Sequence, residues 1–291
     1  MLGAWGWGRK KRKAVLSFGG QVRFFQLGRS HRDSPAIPNE RMTKSQINKL
    51  GEKLRTALEM DSDTLSRLQQ FRASYDEPML RAQTLLKEMG LEATSRLKTT
   101  NTIIEKLRRE KTRLAEMQDI AGLRIVSEVD ITSQDEIVSR IVASFPVTKV
   151  IDRRRNPTHG YRAVHVIVTF DVHPIEIQVR TQMQDLWAQA MERLADEAGH
   201  EIRYGGTPKT RDEDVESLLN ISSDIAQTEV MLTELKQMET GLLQPHRAAS
   251  NQRELRLHLA KLRSLRARLR GREGAIHVTL KAIIDRGGAS A

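Results

Sequence analysis

The rhythm of apolar and polar positions changes several times along this chain, and each change marks an element. Residues 1–41 have no period: Trp5, Trp7, Phe24 and Phe25 are scattered among Gly, Arg and Lys. Ala14-Val15-Leu16 is broken by Ser17 and two glycines, too short for the apolar core of a secretory signal. This stretch is expected to be a disordered basic tail, or sequence ahead of a start at Met42. From Thr43, a capping residue, Ile47, Leu50, Leu54 and Leu58 follow at helical spacing. Residues 61–90 read as helical, with a break before Pro78. Thr102-Ile103-Ile104-Glu105 fits a capping box for a helix running to about Glu116.

The rhythm then shortens. A strand is predicted at 119–127, a helix near 133–144, and strands near 146–152, 161–170 and 174–180. In the last strand Ile175, Ile177 and Val179 alternate with Glu176, Gln178 and Arg180. Period two puts three apolar side chains on one face and three functional groups on the other, about 7 Å apart. Thr181 is placed to cap a helix to about Ala198, with Met183, Trp187, Ala190 and Leu194 on its buried face. Beyond Asp212 the period becomes near-heptad through Leu218, Ile221, Ile225, Leu232, Leu235 and Leu242. After Pro245, a helix at 251–270 carries a stripe of Leu255, Leu259, Leu262, Leu265 and Leu269, with Gly271 expected to stop it. The pattern predicts an α/β fold, strands flanked by helices with a C-terminal helical hairpin.

Charge divides the 291 residues unevenly. Residues 1–41 hold nine Lys/Arg against two Asp/Glu, and residues 246–291 hold eleven against three, so the middle carries a net −4 of the overall +11. The basic character belongs to the ends. It suits RNA, an acidic partner or lipid headgroups, or serves only solubility. Cysteine is absent, which excludes disulfides, thiolate catalysis and sulfur-ligated zinc, and fits a reducing cytoplasm. No run of about 20 apolar residues exists, so no membrane span is expected. Neither a Walker loop nor a dinucleotide-binding glycine motif is present.

Two carboxylates, Asp119 and Glu176, stand on otherwise apolar strands. Magnesium takes one or two carboxylates together with phosphate oxygens, so the pair can hold Mg²⁺. Equally, Asp119 can be a turn residue and Glu176 a solvated strand face. Arg96, Lys98, Lys106 and Arg124 are candidate triphosphate contacts, or ordinary solvated charges. Tyr161 suits base stacking or the core, and His165 a ligand or a hydrogen-bonded strand histidine.

In order and spacing, D-I-A-G-L-R at 119–124, G-Y-R-x-x-H at 160–165 and E-I-Q-V-R-T at 176–181 resemble the RelA/SpoT nucleotide synthetase domain in its small single-domain form. Arg96-Leu97-Lys98 lies upstream, and the likeness spans roughly residues 43–210. Trp187-Ala188, Glu192, Leu194-Ala195-Asp196 and Tyr204-Gly205-Gly206 look most like the toxic small alarmone synthetase branch.

The resemblance implies a small mixed sheet of four or five strands, nucleotidyltransferase-like, in a synthetase domain at 42–210, followed by a helical extension at 211–291, basic at its end. It implies that Asp119 holds Mg²⁺ and that Glu176 helps hold it or takes a proton. Arg96, Lys98, Arg124 and, less closely, Lys106 would bind ATP, with Arg109 and Arg113 weaker matches. Tyr161 would stack on the acceptor base, with Arg162 and His165 beside it and Gln178, Arg180 and Thr181 shaping the acceptor side.

The implied activity is pyrophosphate transfer from ATP to the ribose 3′-hydroxyl of GDP or GTP, making (p)ppGpp as in the stringent response. No His-Asp pair of the family's hydrolase is present, so synthesis alone is expected. The alternatives are a toxin–antitoxin enzyme acting on the tRNA 3′ end or on an adenine nucleotide, and a non-catalytic module binding RNA or an antitoxin. Pairing of the C-terminal helices would make a homo-oligomer.

Overall fold

The computed structural model describes residues 42–127, 130–242 and 252–286; the expectations for residues 1–41, for Pro245 and for the Leu242 side chain lie outside the described residues. Thr43 and Gln46 cap each other reciprocally and open α1 (Lys44–Thr56). Leu58, expected on its buried face, is fully exposed because α1 ends at Thr56. The 61–90 stretch is α2 (Ser62–Ala73) and α3 (Asp76–Glu88). Pro78 sits in the first turn of α3, where a missing N–H costs nothing.

Next comes β1 (Thr94–Leu97), a short exposed strand that period-two reading missed because Leu97 is its one apolar residue. Then α4 (Thr100–Glu110) is capped by Thr99, not Thr102, whose amide donates to the Thr99 hydroxyl. It ends at Lys111, in a left-handed conformation with φ 51°, short of Glu116. The chain turns so that Leu114 can bury itself against α1, where a Cβ on Gly51 would meet the Leu114 Cβ at 2.6 Å. The later elements are β2 (Ala121–Ser127), α5 (Ile131–Ser144), β3 (Val147–Asp152), β4 (Val164–Phe170), β5 (His173–Thr181), α6 (Gln182–Ala198), α7 (Asp212–Leu242) and α8 (Gln252–Arg286).

The sheet order is β1-β2-β5-β4-β3, with β2 and β5 parallel and every other pair antiparallel. Its mixed character follows from the chain path: α5, β3 and β4 separate β2 from its parallel neighbour, whereas β4 and β5 join by a tight turn. One sheet face, through Leu123, Ile125, Val166, Ile175, Ile177 and Val179, makes a core with α1–α5.

A second core joins α6, α7 and α8. Leu235, Leu262 and Leu269 close the hairpin between α7 and α8. Gly271 does not stop α8. A helical glycine costs about 1 kcal/mol, whereas burying each of Ile276, Leu280 and Ile283 in the second core contributes roughly 1.5–3 kcal/mol. Leu262, Leu269 and these three residues pack within the chain. Among the described residues no helix is long and apolar enough to cross a membrane.

Candidate active site

The other sheet face is polar and lines a cavity of about 810 Å³. Strand register builds its floor. Arg96, Gly122 and Glu176 lie side by side across β1, β2 and β5. One step along, Thr94, Arg124, Gln178 and His165 form the next row. A Cβ on Gly122 would meet only the Arg96 and Glu176 carbonyl oxygens, at 3.9 Å, so the glycine keeps the floor open rather than avoiding a clash.

Asp119 does not open β2; it stands two residues ahead of it. Lys98 and Lys106 both donate to its Oδ2, at 3.0 and 2.8 Å, while Oδ1 is buried with no partner. Burial pushes the carboxyl up, but the two ammonium groups outweigh it and hold the carboxyl below its usual range.

Tyr161 precedes β4 instead of starting it, in a turn bridged from Thr158 to Tyr161. The turn needs Gly160: its φ is +81°, and a Cβ there would lie 2.7 Å from the Trp187 ring. This places Tyr161 in a closed ring of side chains. Arg180 donates to the Tyr161 hydroxyl (2.9 Å) and to Gln178 Oε1 (2.8 Å). Gln178 Nε2 donates to Glu176 Oε2 (2.7 Å). His165 completes the circuit, with Nδ1 2.7 Å from Glu176 Oε1 and Nε2 2.9 Å from the Tyr161 hydroxyl.

His165 Nδ1 donates to the Glu176 carboxylate, and Nε2 shares a hydrogen bond with the hydroxyl that accepts from Arg180. Burial pushes the Glu176 carboxyl up; His165 and Gln178 bring it below its usual range, so it is ionised at neutral pH.

Of the twelve residues assigned to the site in the sequence, apart from Arg109 and Arg113, ten line this one cavity: Arg96, Lys98, Lys106, Asp119 and Arg124, and with them Tyr161, His165, Glu176, Gln178 and Arg180. Thr181 does not; its hydroxyl donates to Glu229. Nor does Arg162. Its guanidinium donates to the carbonyl and hydroxyl of Ser222 on α7 and to the Arg154 carbonyl. Arg109 reaches the rim, 3.8 Å from the Tyr204 ring centre, while Arg113 is exposed beside Glu116.

Asp185, buried on the first turn of α6, was missed. It holds Arg180 at 2.8 Å and Arg124 at 3.5 Å. Its signal was an acidic residue behind the Thr181 cap, which by itself is common for a helix start.

The polar face of the mixed sheet thus brings four cations and two carboxylates to one cavity of nucleotide size, a lining that suits phosphate groups. Residues 95–197 match the model of the region found in RelA/SpoT proteins. Over 122 residues the chain is 40% identical to uncharacterized proteins of Mycobacterium tuberculosis and Mycobacterium bovis, covering 41% of this chain and 45% of each of theirs. The chain thus matches less than half the length of these curated relatives. The fold is similar to that of small alarmone synthetase 1 from Bacillus subtilis, with a TM-score of 0.50 and 22% identity over 60% of this chain and 98% of that one.

Proposed function

We propose that the chain transfers pyrophosphate from ATP to the ribose 3′-hydroxyl of a guanine nucleotide, GDP or GTP. The observation that carries this is the meeting of Asp119 and Glu176 on one cavity with four cations, Arg96, Lys98, Lys106 and Arg124. The acceptor oxygen attacks the β-phosphorus, the bond from that phosphorus to the oxygen bridging to the α-phosphate breaks, and AMP leaves. Glu176, ionised and aimed by His165 and Gln178, takes the hydroxyl proton. The cations of β1, α4 and β2 hold the triphosphate by charge-assisted hydrogen bonds.

Among the described residues no cluster of three metal-ligating side chains exists. Magnesium needs fewer, and the unpartnered buried Oδ1 of Asp119 with the Glu176 carboxylate fits it. Bound there, Mg²⁺ would supply charge neutralisation to the phosphates.

A second reading, transfer to the tRNA 3′ end, is favoured by one feature. Arg256, Arg263 and Arg270 are exposed on α8 at seven-residue spacing, making a cationic row. Incubation with β-labelled ATP and, separately, GDP, GTP, AMP and tRNA decides. Label moving to GDP or GTP supports the first reading and label moving to tRNA alone the second. Transfer to none of them would leave binding of RNA or an antitoxin as the function.

A further inference from the structure

Behind the closed ring lies a second polar network that the proposed reaction does not use. Ser222, 2% exposed on α7, donates to the Gly160 carbonyl and accepts from Arg162 Nε. Two helical turns along the same face, about 10 Å away, Glu229 accepts from the Thr181 hydroxyl and from Gln184 Nε2. The anchors are also tied to each other. Gln184 accepts from Gln134, Gln134 accepts from Arg154, and the Arg154 carbonyl accepts from Arg162.

Three of the four anchored residues are chain neighbours of a ring member. Gly160 and Arg162 flank Tyr161, and Thr181 follows Arg180. Beside the anchors, Ile221 and Ile225 pack α7 against α6 in the second core, and the Trp187 indole N–H donates to the Leu218 carbonyl at 2.6 Å. An apolar residue at 229 would fill this place without the cost of a buried carboxylate, which burial pushes above its usual range.

We propose that α7 is the positioning element of the Tyr161–Arg180 wall, with Ser222 and Glu229 as positioning residues that hold the two backbone segments carrying that wall. Neither touches the cavity's reacting groups. They act through Tyr161 and Arg180. The consequence is selective. The wall opposite, carrying Lys98, Lys106 and Asp119, has no hydrogen bond to α7 among the described residues. Loosening α7 therefore disturbs the acceptor side more than the donor side, which it reaches through the Arg180–Asp185–Arg124 link, where this division rests on the function proposed above.

The test uses the full chain with Ser222→Ala, Glu229→Ala and Glu229→Gln, GDP and ATP as probes, and Tm as the control for folding. Ser222→Ala and Glu229→Ala should each raise KM for GDP about tenfold, the size of one hydrogen bond, with KM for ATP changed less than about twofold. Glu229→Gln, which keeps an acceptor oxygen for Thr181, should restore the GDP value.

A second readout needs no turnover: the His165 Nδ1 proton in ¹⁵N-histidine-labelled protein. Held by Glu176, it should give a protected signal in the parent and in Glu229→Gln, and a broadened one in both alanine variants. A lowered Tm with unchanged KM values and an unchanged His165 signal would overturn the proposal, as would equal losses for GDP and ATP. If the parent transfers nothing to GDP, the functional reading falls, while the His165 signal still decides whether α7 positions the wall.

Discussion

The two walls of the cavity hold their charges in opposite ways. On the β1–α4 side, Lys98 and Lys106 converge on Asp119 with side chains 21% and 20% exposed, and one Asp119 oxygen stays unpartnered. On the β4–β5 side, the His165 and Arg180 side chains are 9% and 4% exposed, and every link of the Glu176–His165–Tyr161–Arg180–Gln178 circuit closes. The open wall can exchange its internal ion pairs for phosphate oxygens. The closed wall is already arranged, so it costs little reorganisation when a reaction needs a fixed carboxylate. One wall is built to be displaced and the other to stay put.

The largest break in this comparison is Glu176→Gln. It keeps the size of the side chain, removes the proposed base and turns one ring acceptor into a donor, so turnover should fall roughly 10²–10⁴-fold with labelled ATP, while the fold is kept. Asp119→Asn should rank beside it, leaving Lys98 and Lys106 facing a neutral amide. Near-normal turnover at saturating Mg²⁺ in either would place the metal and base elsewhere.

Tyr161→Phe opens the ring at a single atom, the hydroxyl shared by His165 and Arg180. A misaligned Glu176 should cost up to about 10²-fold in kcat, without loss of the fold by circular dichroism. An unchanged kcat would mean that closure of the ring has no catalytic consequence.

Lys106→Ala tests the open wall. KM for ATP should rise about tenfold and KM for GDP should not, because the lost ammonium serves one substrate only. Losses shared by both substrates would erase the division between the walls.

The smallest effect sharpens the role of the buried carboxylate behind the closed wall. Burial raises the Glu229 pKa in the folded chain. Its contribution to stability is therefore fully present below the unfolded carboxylate value and lost as pH rises through the folded one. Glu229→Gln escapes that loss. Its Tm should gain on the parent as pH is raised from about 4 to about 8, as scanning calorimetry would show.

The strands and helices with clean rhythm were legible. Ile175, Ile177 and Val179 are fully buried and Glu176, Gln178 and Arg180 face the cavity, as alternation requires. Thr43 and Thr181 cap the helices expected of them. What failed depended on packing between distant segments. The strand at Thr94–Leu97 exists because β2 offers it an edge, not because its sequence alternates. The α4 helix stops early because Leu114 finds its place against Gly51, and α8 runs through Gly271 because isoleucines further on find the second core.

For the site, residue types were legible and partnerships were not. By itself the sequence determined which side chains lie on the polar face of β5, since a two-residue period admits one answer. It also determined that Gly160 and Gly122 precede a tyrosine and a leucine in segments rich in functional groups. Only the tertiary structure decided that Arg162 turns away to Ser222 while Tyr161 turns in, and that Asp185, Ser222 and Glu229 bond to Arg180, Arg162 and Thr181. The physical reason is distance along the chain. A strand fixes the direction of its own side chains locally, but a hydrogen bond between residues 60 apart, as from Arg162 to Ser222, exists only once the helix carrying the acceptor has packed.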